Sequence, residues 1–442
     1  MSELTPIAAA NPDNGLPSLS RRRLLVAGLA GASAATVPAA VGLGAVPGLA
    51  GSSAAAALPT VRPLSSHAAY SAFGVCALPH LGNSPYRYTS QWMAALAQTG
   101  ASYFRGMYAH KISATAEATR AARTHDIKWG MTVCPDLSFS DGELVARIRH
   151  IAANAADRCL FIEGINEPNY ERGSGTIPSD WARRAVAKQR IIWQTVKSEP
   201  RLSHVKILGP KLQATVGTES HYRALGAAGV TQYMDFAALA CYPGGLYPYP
   251  PLDQRLSWIR SYWGGKPAWI TETGYTNALA ATRGHAVVPE DVAAAYAPSI
   301  LLEAVDRGAS VSMFELLDSP DNKTDTEDNF GFFAISGGEA PPWRAKPIVS
   351  TMRSFLAGLK DPGPAYSPAP ISLGVTSSVG DVQSTVTAKR NGSATVHLRR
   401  ARDCWDPSRK VRLAVPEVAV RVVTPRGTRT IMVDHRVSSV SL

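Results

Sequence analysis

Short apolar runs alternate with longer amphipathic ones eight times between residues 72 and 314, and few folds accommodate that rhythm. The runs are Ala72–Ala77, Tyr103–Met107, Lys128–Val133, Cys159–Gly164, Lys206–Gly209, Phe236–Ala240, Ala268–Thr271 and Ser310–Phe314. They begin roughly 25 to 47 residues apart, the length that a strand, a helix and two loops require. Each run is apolar almost throughout, the pattern of a strand buried on both faces. Such strands alternating with helices make a parallel sheet. Eight units predict an α/β fold, a closed (β/α)8 TIM barrel, which typically takes about 250 residues. The alternative, an open doubly wound sheet, favours a glycine-rich phosphate loop after the first strand, and Phe73-Gly74-Val75-Cys76 contains none. Helix boundaries fit the same plan. Ser140-Asp141-Gly142-Glu143 is a capping box ahead of Leu144, Ile148 and Ile151, which share a face. Pro289-Glu290-Asp291 opens another helix and Gly308 can end it.

The flanks differ in kind. Asp361-Pro362-Gly363-Pro364-Ala365-Tyr366-Ser367-Pro368-Ala369-Pro370 has the composition of a linker. Beyond it, Val382–Ala388, Ser393–Leu398, Val411–Val415, Val418–Val423 and Thr428–Val433 read as short strands, with turns at Asn391-Gly392 and Pro425-Arg426-Gly427. Residues 371–442 are therefore expected to form a small C-terminal β-sandwich, and residues 58–360 the barrel. At the other end, Ser20-Arg21-Arg22-Arg23-Leu24-Leu25 precedes an Ala/Gly/Val-rich stretch that closes on Ala55-Ala56-Ala57. Residues 1–57 resemble a twin-arginine signal peptide, although Leu24 stands where phenylalanine is commoner. The resemblance implies the twin-arginine export machinery as a partner, and a secreted or cell-envelope destination in a bacterium. Pro38, Pro47 and the many glycines argue against a spanning helix there. No stable membrane insertion is expected once the leader is cleaved.

Composition removes other classes. The formal net charge is +11, but the basic residues are scattered, with only short runs such as Arg21-Arg22-Arg23 and Arg399-Arg400. No stripe of basic and aromatic residues suggests a nucleic-acid face. Cys76, Cys134, Cys159, Cys241 and Cys404 show no CxxC spacing and no paired histidines, so no metal site and no cofactor is expected. Four of them fall in or beside core strands, where cysteine usually acts as a small hydrophobe. A single disulfide is compatible with the sequence, which does not assign one.

Two of the eight runs end in carboxylates. Phe161-Ile162-Glu163-Gly164-Ile165-Asn166-Glu167-Pro168 closes the fourth, and Ala268-Trp269-Ile270-Thr271-Glu272-Thr273-Gly274-Tyr275 the seventh. Catalytic groups of a barrel sit where strands end. Strands four and seven lie roughly across the mouth, so Glu167 and Glu272 can converge on one ligand. Paired carboxylates in a cleft are the apparatus of glycoside hydrolysis.

The motifs Asn166-Glu167-Pro168 and Thr271-Glu272-Thr273-Gly274, three units apart, resemble those of clan A of the retaining glycoside hydrolases. The resemblance spans about residues 70–360. It implies that Glu167 starts protonated and serves as acid/base, and that Glu272 is the ionised nucleophile, acting on a β-linked carbohydrate. Asn166 would hold the sugar 2-hydroxyl. Tyr242, in Cys241-Tyr242-Pro243, resembles the tyrosine that bonds the nucleophile, and Arg105 the arginine that keeps it ionised. Tyr275, Glu315 and Trp343 are further candidates for substrate contact. Many clan members place a tryptophan after strand eight, where this chain has Phe314-Glu315-Leu316-Leu317-Asp318, and Trp343 is expected to fill that space. A structural role is expected for Glu163. His80, His110 and Asp136, after the first three strands, are mouth-lining candidates. Tyr247 and Tyr249, on a proline-stiffened loop, are expected to offer ring faces to a sugar. The acidic loop Asp318–Asp328 lacks an EF-hand register.

Overall fold

The computed structural model describes residues 58–82, 84–170, 177–214, 217–248, 250–319 and 322–442. The leader expected at residues 1–57 lies outside them, as does Tyr249. Pro59–Leu442 forms one compact unit.

Eight parallel strands carry the centre: β1 (Phe73–Cys76), β2 (Tyr103–Met107), β3 (Lys128–Cys134), β4 (Cys159–Ile165), β5 (Lys206–Leu208), β6 (Ala237–Ala240), β7 (Ala268–Thr273) and β8 (Ser310–Met313). They pair in the order β5-β4-β3-β2-β1-β8-β7-β6. A parallel bridge between Leu208 and Phe236 joins β5 to β6, with the Gly209 amide donating to the Phe236 carbonyl at 2.8 Å. The sheet is thereby a closed barrel. Helices cover it outside; that of Asp141–Asn154 starts at Ser140, whose side chain accepts from the Glu143 amide.

Side chains alternate along a strand, so residues two apart share the barrel interior. The lower interior layer is an apolar plug of Tyr103, Phe161, Leu208, Ala238 and Trp269. Tyr103 meets Phe161 and Trp269 edge-on, at centroid distances of 6.1 and 5.7 Å. Trp269 Nε1 donates to the Tyr103 hydroxyl at 2.8 Å, which donates in turn to the Val311 carbonyl. Gly130 makes room for this plug, because a Cβ there would fall inside the Phe161 ring. Two residues further along the same strands come Arg105, Thr132, Glu163 and Thr271, all buried. The barrel thus changes from aromatic to polar within one layer.

The C-terminal strands form two main sheets, besides the two-stranded pairs Thr60–Val61 with Ile371–Ser372 and Trp405–Asp406 with Val411–Arg412. Gly374–Ser377, Val418–Thr424 and Gly427–Val433 make one. Val382–Ala388, Ala394–Arg400 and Ser438–Ser441, joined by Leu64–Ser65, make the other. Leu373, Val386, Val396, Leu398, Val420, Val422 and Val433 share a core. The domain boundary expected at residue 58 assigned residues 60–65 to the barrel. They pair instead with the C-terminal strands: Thr60 with Ser372, Val61 with Ile371, Leu64 with Thr387. The run Val411–Val415 shortens to a two-residue strand, Val411–Arg412. All five cysteines are buried and unpaired.

Barrel and β-layer are joined by buried charge. Arg399 is fully enclosed and bonds Glu303 at 2.8 Å and Asp306 at 3.0 Å, both on the helix Glu290–Asp306. It also donates to the Tyr247 hydroxyl at 3.0 Å and the Thr385 hydroxyl at 2.9 Å. That helix has almost no exposed face, a pattern that requires cover on both sides.

Candidate active site

The upper polar layer opens into a cluster of charged side chains from four strands. Glu163 on β4 is fully buried. It accepts from Arg105 Nε at 2.7 Å, Thr132 Oγ1 at 2.8 Å and Thr271 Oγ1 at 2.7 Å. Three donors hold this carboxylate rigidly, and it in turn fixes Arg105. The other end of the guanidinium reaches Glu272: Arg105 Nη1 lies 2.5 Å from Glu272 Oε1, and Nη2 donates to Asn166 Oδ1 at 3.4 Å.

Strict alternation along β7 would turn Thr271 and Glu272 to opposite faces. Both point inward, because the strand bulges there. Leu239 pairs with Ile270 but Ala240 pairs with Glu272, which skips one residue. A bulge re-aims a side chain in this way, and bulges recur beside functional sites. Glu167 is placed by a different device. Strand β4 ends at Ile165, and Glu167 has a φ of 51°, in the left-handed region that a glutamate seldom occupies. Its amide donates to the Lys211 carbonyl at 2.7 Å, while the Lys211 amide donates to the Ile165 carbonyl at 3.0 Å.

Lys211 then completes the cluster. Its Nζ lies 2.5 Å from Glu272 Oε1 and 3.3 Å from Glu167 Oε1, with the side chain wholly enclosed. One ammonium touching both carboxylates keeps those two oxygens within about 6 Å of each other, against about 5 to 5.5 Å between the carboxyl groups of a retaining pair. Lys211 carries no signal in helix or strand periodicity. Its position as the first charge after Ile207-Leu208-Gly209-Pro210, at the end of a barrel strand, was the available clue.

The charges determine the protonation of the nucleophile candidate. Burial pushes the Glu272 carboxyl up, but Lys211 and Arg105 more than offset that and hold it well below the usual range, at about 2. Tyr242 donates to Glu272 Oε2 at 3.4 Å; burial, then the Glu272 charge, push its phenol well up, so it stays a neutral donor. Beyond it stand His285 and Phe330, with ring centroids 5.1 and 5.5 Å from Tyr242. Phe314 meets Phe330 at 5.5 Å.

Glu167, Glu272, Asn166, Arg105 and Tyr242 therefore come together as the motifs suggested, with Glu163 and Lys211 beneath and between them. The other candidates are placed differently. Tyr275 is buried; its hydroxyl donates to the Leu246 carbonyl at 2.8 Å and its ring packs on Tyr296. It braces the loop after β6 and has no face free for a ligand. Tyr247 is likewise enclosed, its hydroxyl donating to Glu303 at 2.8 Å, so it clasps the β-layer instead of offering a ring to a sugar. Trp343 is half-buried, and its indole donates to the Glu339 carbonyl at 3.1 Å. Glu315 is buried against Tyr86, whose hydroxyl donates to it at 3.4 Å. Burial, then Asp318, push the Glu315 carboxyl well up, and this candidate for substrate contact is turned to Tyr86 instead. Asp136 caps its own loop through the Ser138 and Phe139 amides, and His110 stacks on His150.

No family model and no curated protein matches the chain. Solved structures match in shape. SrfJ from Salmonella typhimurium aligns over 87% of this chain and 89% of its own, with 10% identity and a TM-score of 0.54. A β-glucosidase from Exiguobacterium marinum covers 66% of this chain and 98% of its own, at 12% identity and a TM-score of 0.48. An endo-laminarinase from Formosa covers 61% and 84%, at 15% identity and a TM-score of 0.48. At 10% identity the SrfJ match shows a common fold, the (β/α)8 architecture described above.

Proposed function

We propose that the chain is a retaining glycoside hydrolase that cleaves a β-linked glycoside or polysaccharide by double displacement. The observation that carries this reading is the pair Glu167 and Glu272 held within reach of one lysine, in a barrel mouth, with Glu272 kept ionised by Lys211 and Arg105. Glu272 would attack the anomeric carbon while Glu167 passes its proton to the leaving oxygen. Water would then lose a proton to Glu167 and attack the same carbon, which releases Glu272. Asn166, fixed by Arg105, would present its amide to the sugar 2-hydroxyl.

The reading is tested with a panel of aryl β-glycosides, following the product's anomeric configuration by NMR. Retention is expected. Glu272→Ala should abolish turnover, and azide should partly restore Glu167→Ala with a product of retained configuration. Inversion, or full activity in Glu272→Ala, would refute it. Export belongs to the same proposal and rests on Arg21-Arg22-Arg23 ahead of an apolar stretch. Replacing Arg21 and Arg22 with lysine should leave the enzyme inside the cell; unchanged export would exclude the twin-arginine route.

A further inference from the structure

Double displacement as written needs two carboxyl groups, and Lys211 has no part in it. Yet this lysine is enclosed between both of them. The charges in the cluster can be counted. Arg105 and Lys211 are cations; burial alone would lower both, but Glu163 and Glu272 keep Arg105 charged, and Glu272 and Glu167 keep Lys211 charged. Glu163 and Glu272 are the carboxylates bound to them. Thr132, Thr271 and Asn166 bring no charge. Cys76 on β1 and Tyr242 after β6 face the cluster as neutral groups, since burial pushes both upward. Further out, His285 and Glu327 pair with each other at 3.1 Å.

Buried ions are least costly when they balance. In the resting site two cations meet two carboxylates, so balance is reached with the proton on Glu167. Once Glu272 has become an ester to the anomeric carbon, one negative charge is gone, and balance returns only if Glu167 is ionised. Those are the two states that the two half-reactions require: an acid for the first and a base for the second.

We propose that Lys211 is a positioning residue that ties the proton on Glu167 to the covalent state of Glu272. The assignment rests on the retaining-hydrolase reading. In the first step the Glu272 oxygen forms a bond to the anomeric carbon, the bond to the aglycone oxygen breaks, and that oxygen takes the Glu167 proton. Lys211, having lost the Glu272 charge, then has Glu167 as its remaining carboxylate. In the second step Glu167 takes a proton from water, the water oxygen bonds the anomeric carbon, and the ester electrons return to Glu272 and to Lys211. Without Lys211 the glycosyl-enzyme is already balanced by Arg105 and Glu163, and Glu167 keeps its proton when it should act as base.

The test compares wild type with Lys211→Met, using a phenyl β-glycoside, whose departure needs the acid, for the kcat/KM profile, and a dinitrophenyl β-glycoside, whose departure needs none, for the release step. Opposite charges at this range shift an ionisation by about one to three pH units. Both limbs of the kcat/KM profile should therefore move up in pH by at least about one unit, since Glu272 also loses a cation. Release of the sugar should slow by about tenfold or more near neutrality, giving a burst of dinitrophenol. Azide, which attacks the ester without a base, should restore turnover in the variant. Lys211→Arg should return both limbs toward their wild-type positions, and Lys211→Gln replaces the methionine variant if that one does not fold. Unmoved limbs with kcat/KM lower at every pH would overturn the role of Lys211 alone. A wild type silent on all glycosides would overturn the functional reading and this role with it.

Discussion

Replacing Arg399 with methionine should destabilise the barrel, although the residue belongs to the C-terminal strands. The guanidinium is fully enclosed and bonds Glu303, Asp306, Tyr247 and Thr385. Methionine fills most of its volume, so the loss is electrostatic. Removing one partner of a buried pair costs about 3 to 5 kcal/mol, because the other charge is left in low dielectric. The lower end applies here, since Arg307 stays 2.7 Å from Glu303 and retains part of the compensation. For a chain this long each kcal/mol is worth roughly 2 °C, so a fall of about 6 °C in melting temperature is expected. Circular dichroism at 222 nm follows the helices of the barrel, and intrinsic fluorescence follows its buried tryptophans, Trp92, Trp129, Trp263 and Trp269 among them. Both should report one shared transition. Arg399→Met with Glu303→Leu should recover part of the loss, because no unpaired charge then remains. An unchanged melting temperature, or a chain ending at residue 370 that folds with wild-type stability, would refute the argument. The β-layer would then be an appendage and not the outer cover of the helix Glu290–Asp306.

Three further outcomes follow from the same contacts. Glu272 sits lower when folded than in the unfolded chain, so its pairing stabilises the fold fully above about pH 4.5, and that contribution is lost as pH falls toward about 2; urea midpoints of wild type should fall across this window more steeply than those of Glu272→Gln. Glu163→Gln removes the anchor of Arg105 and should lower kcat at least about tenfold with KM nearly unchanged, which steady-state kinetics would read. Gly130→Ala places a methyl group inside the Phe161 ring and should cost about 1 to 3 kcal/mol in urea titration, with no change in the pH profile of whatever activity remains.

The barrel was legible because a strand packed on both faces is apolar at consecutive positions, and all eight such runs became strands with ends displaced by no more than two residues. The two motif glutamates were legible because a carboxylate at the end of an apolar strand has no place in the core. Periodicity could not place their side chains. A regular β7 puts Thr271 and Glu272 on opposite faces, and only the bulge at this point brings both inward. Glu167 depends on a left-handed backbone that no rule of residue preference predicts for glutamate. Lys211 escaped because it stands alone, a single charge after Gly209-Pro210 with no motif around it. Tyr247 and Tyr275 were misplaced for a related reason. Aromatics near a barrel mouth serve equally as platforms or as props, and here both are props: Tyr247 against the β-layer, whose docking site the sequence does not reveal, and Tyr275 against the loop after β6.

The depth of the charged cluster bears on what the barrel is for. Enclosing an ion costs several kcal/mol even after the surroundings relax, and apolar side chains of like volume often do as well or better. A barrel that needed only stability would continue upward from the Tyr103–Trp269 plug with branched aliphatic residues, as barrel interiors commonly do. This one places Arg105 and Glu163 in the very next layer, and gives Glu163 three donors to hold it there. Neither residue stands at the rim. Their effect travels along one line, from Glu163 to Arg105 and from Arg105 to Glu272, and Lys211 meets the same oxygen from the other side. Two buried cations directed at one oxygen of one carboxylate keep it ionised whatever approaches from the cleft. That is a property a fold does not need and a nucleophile does.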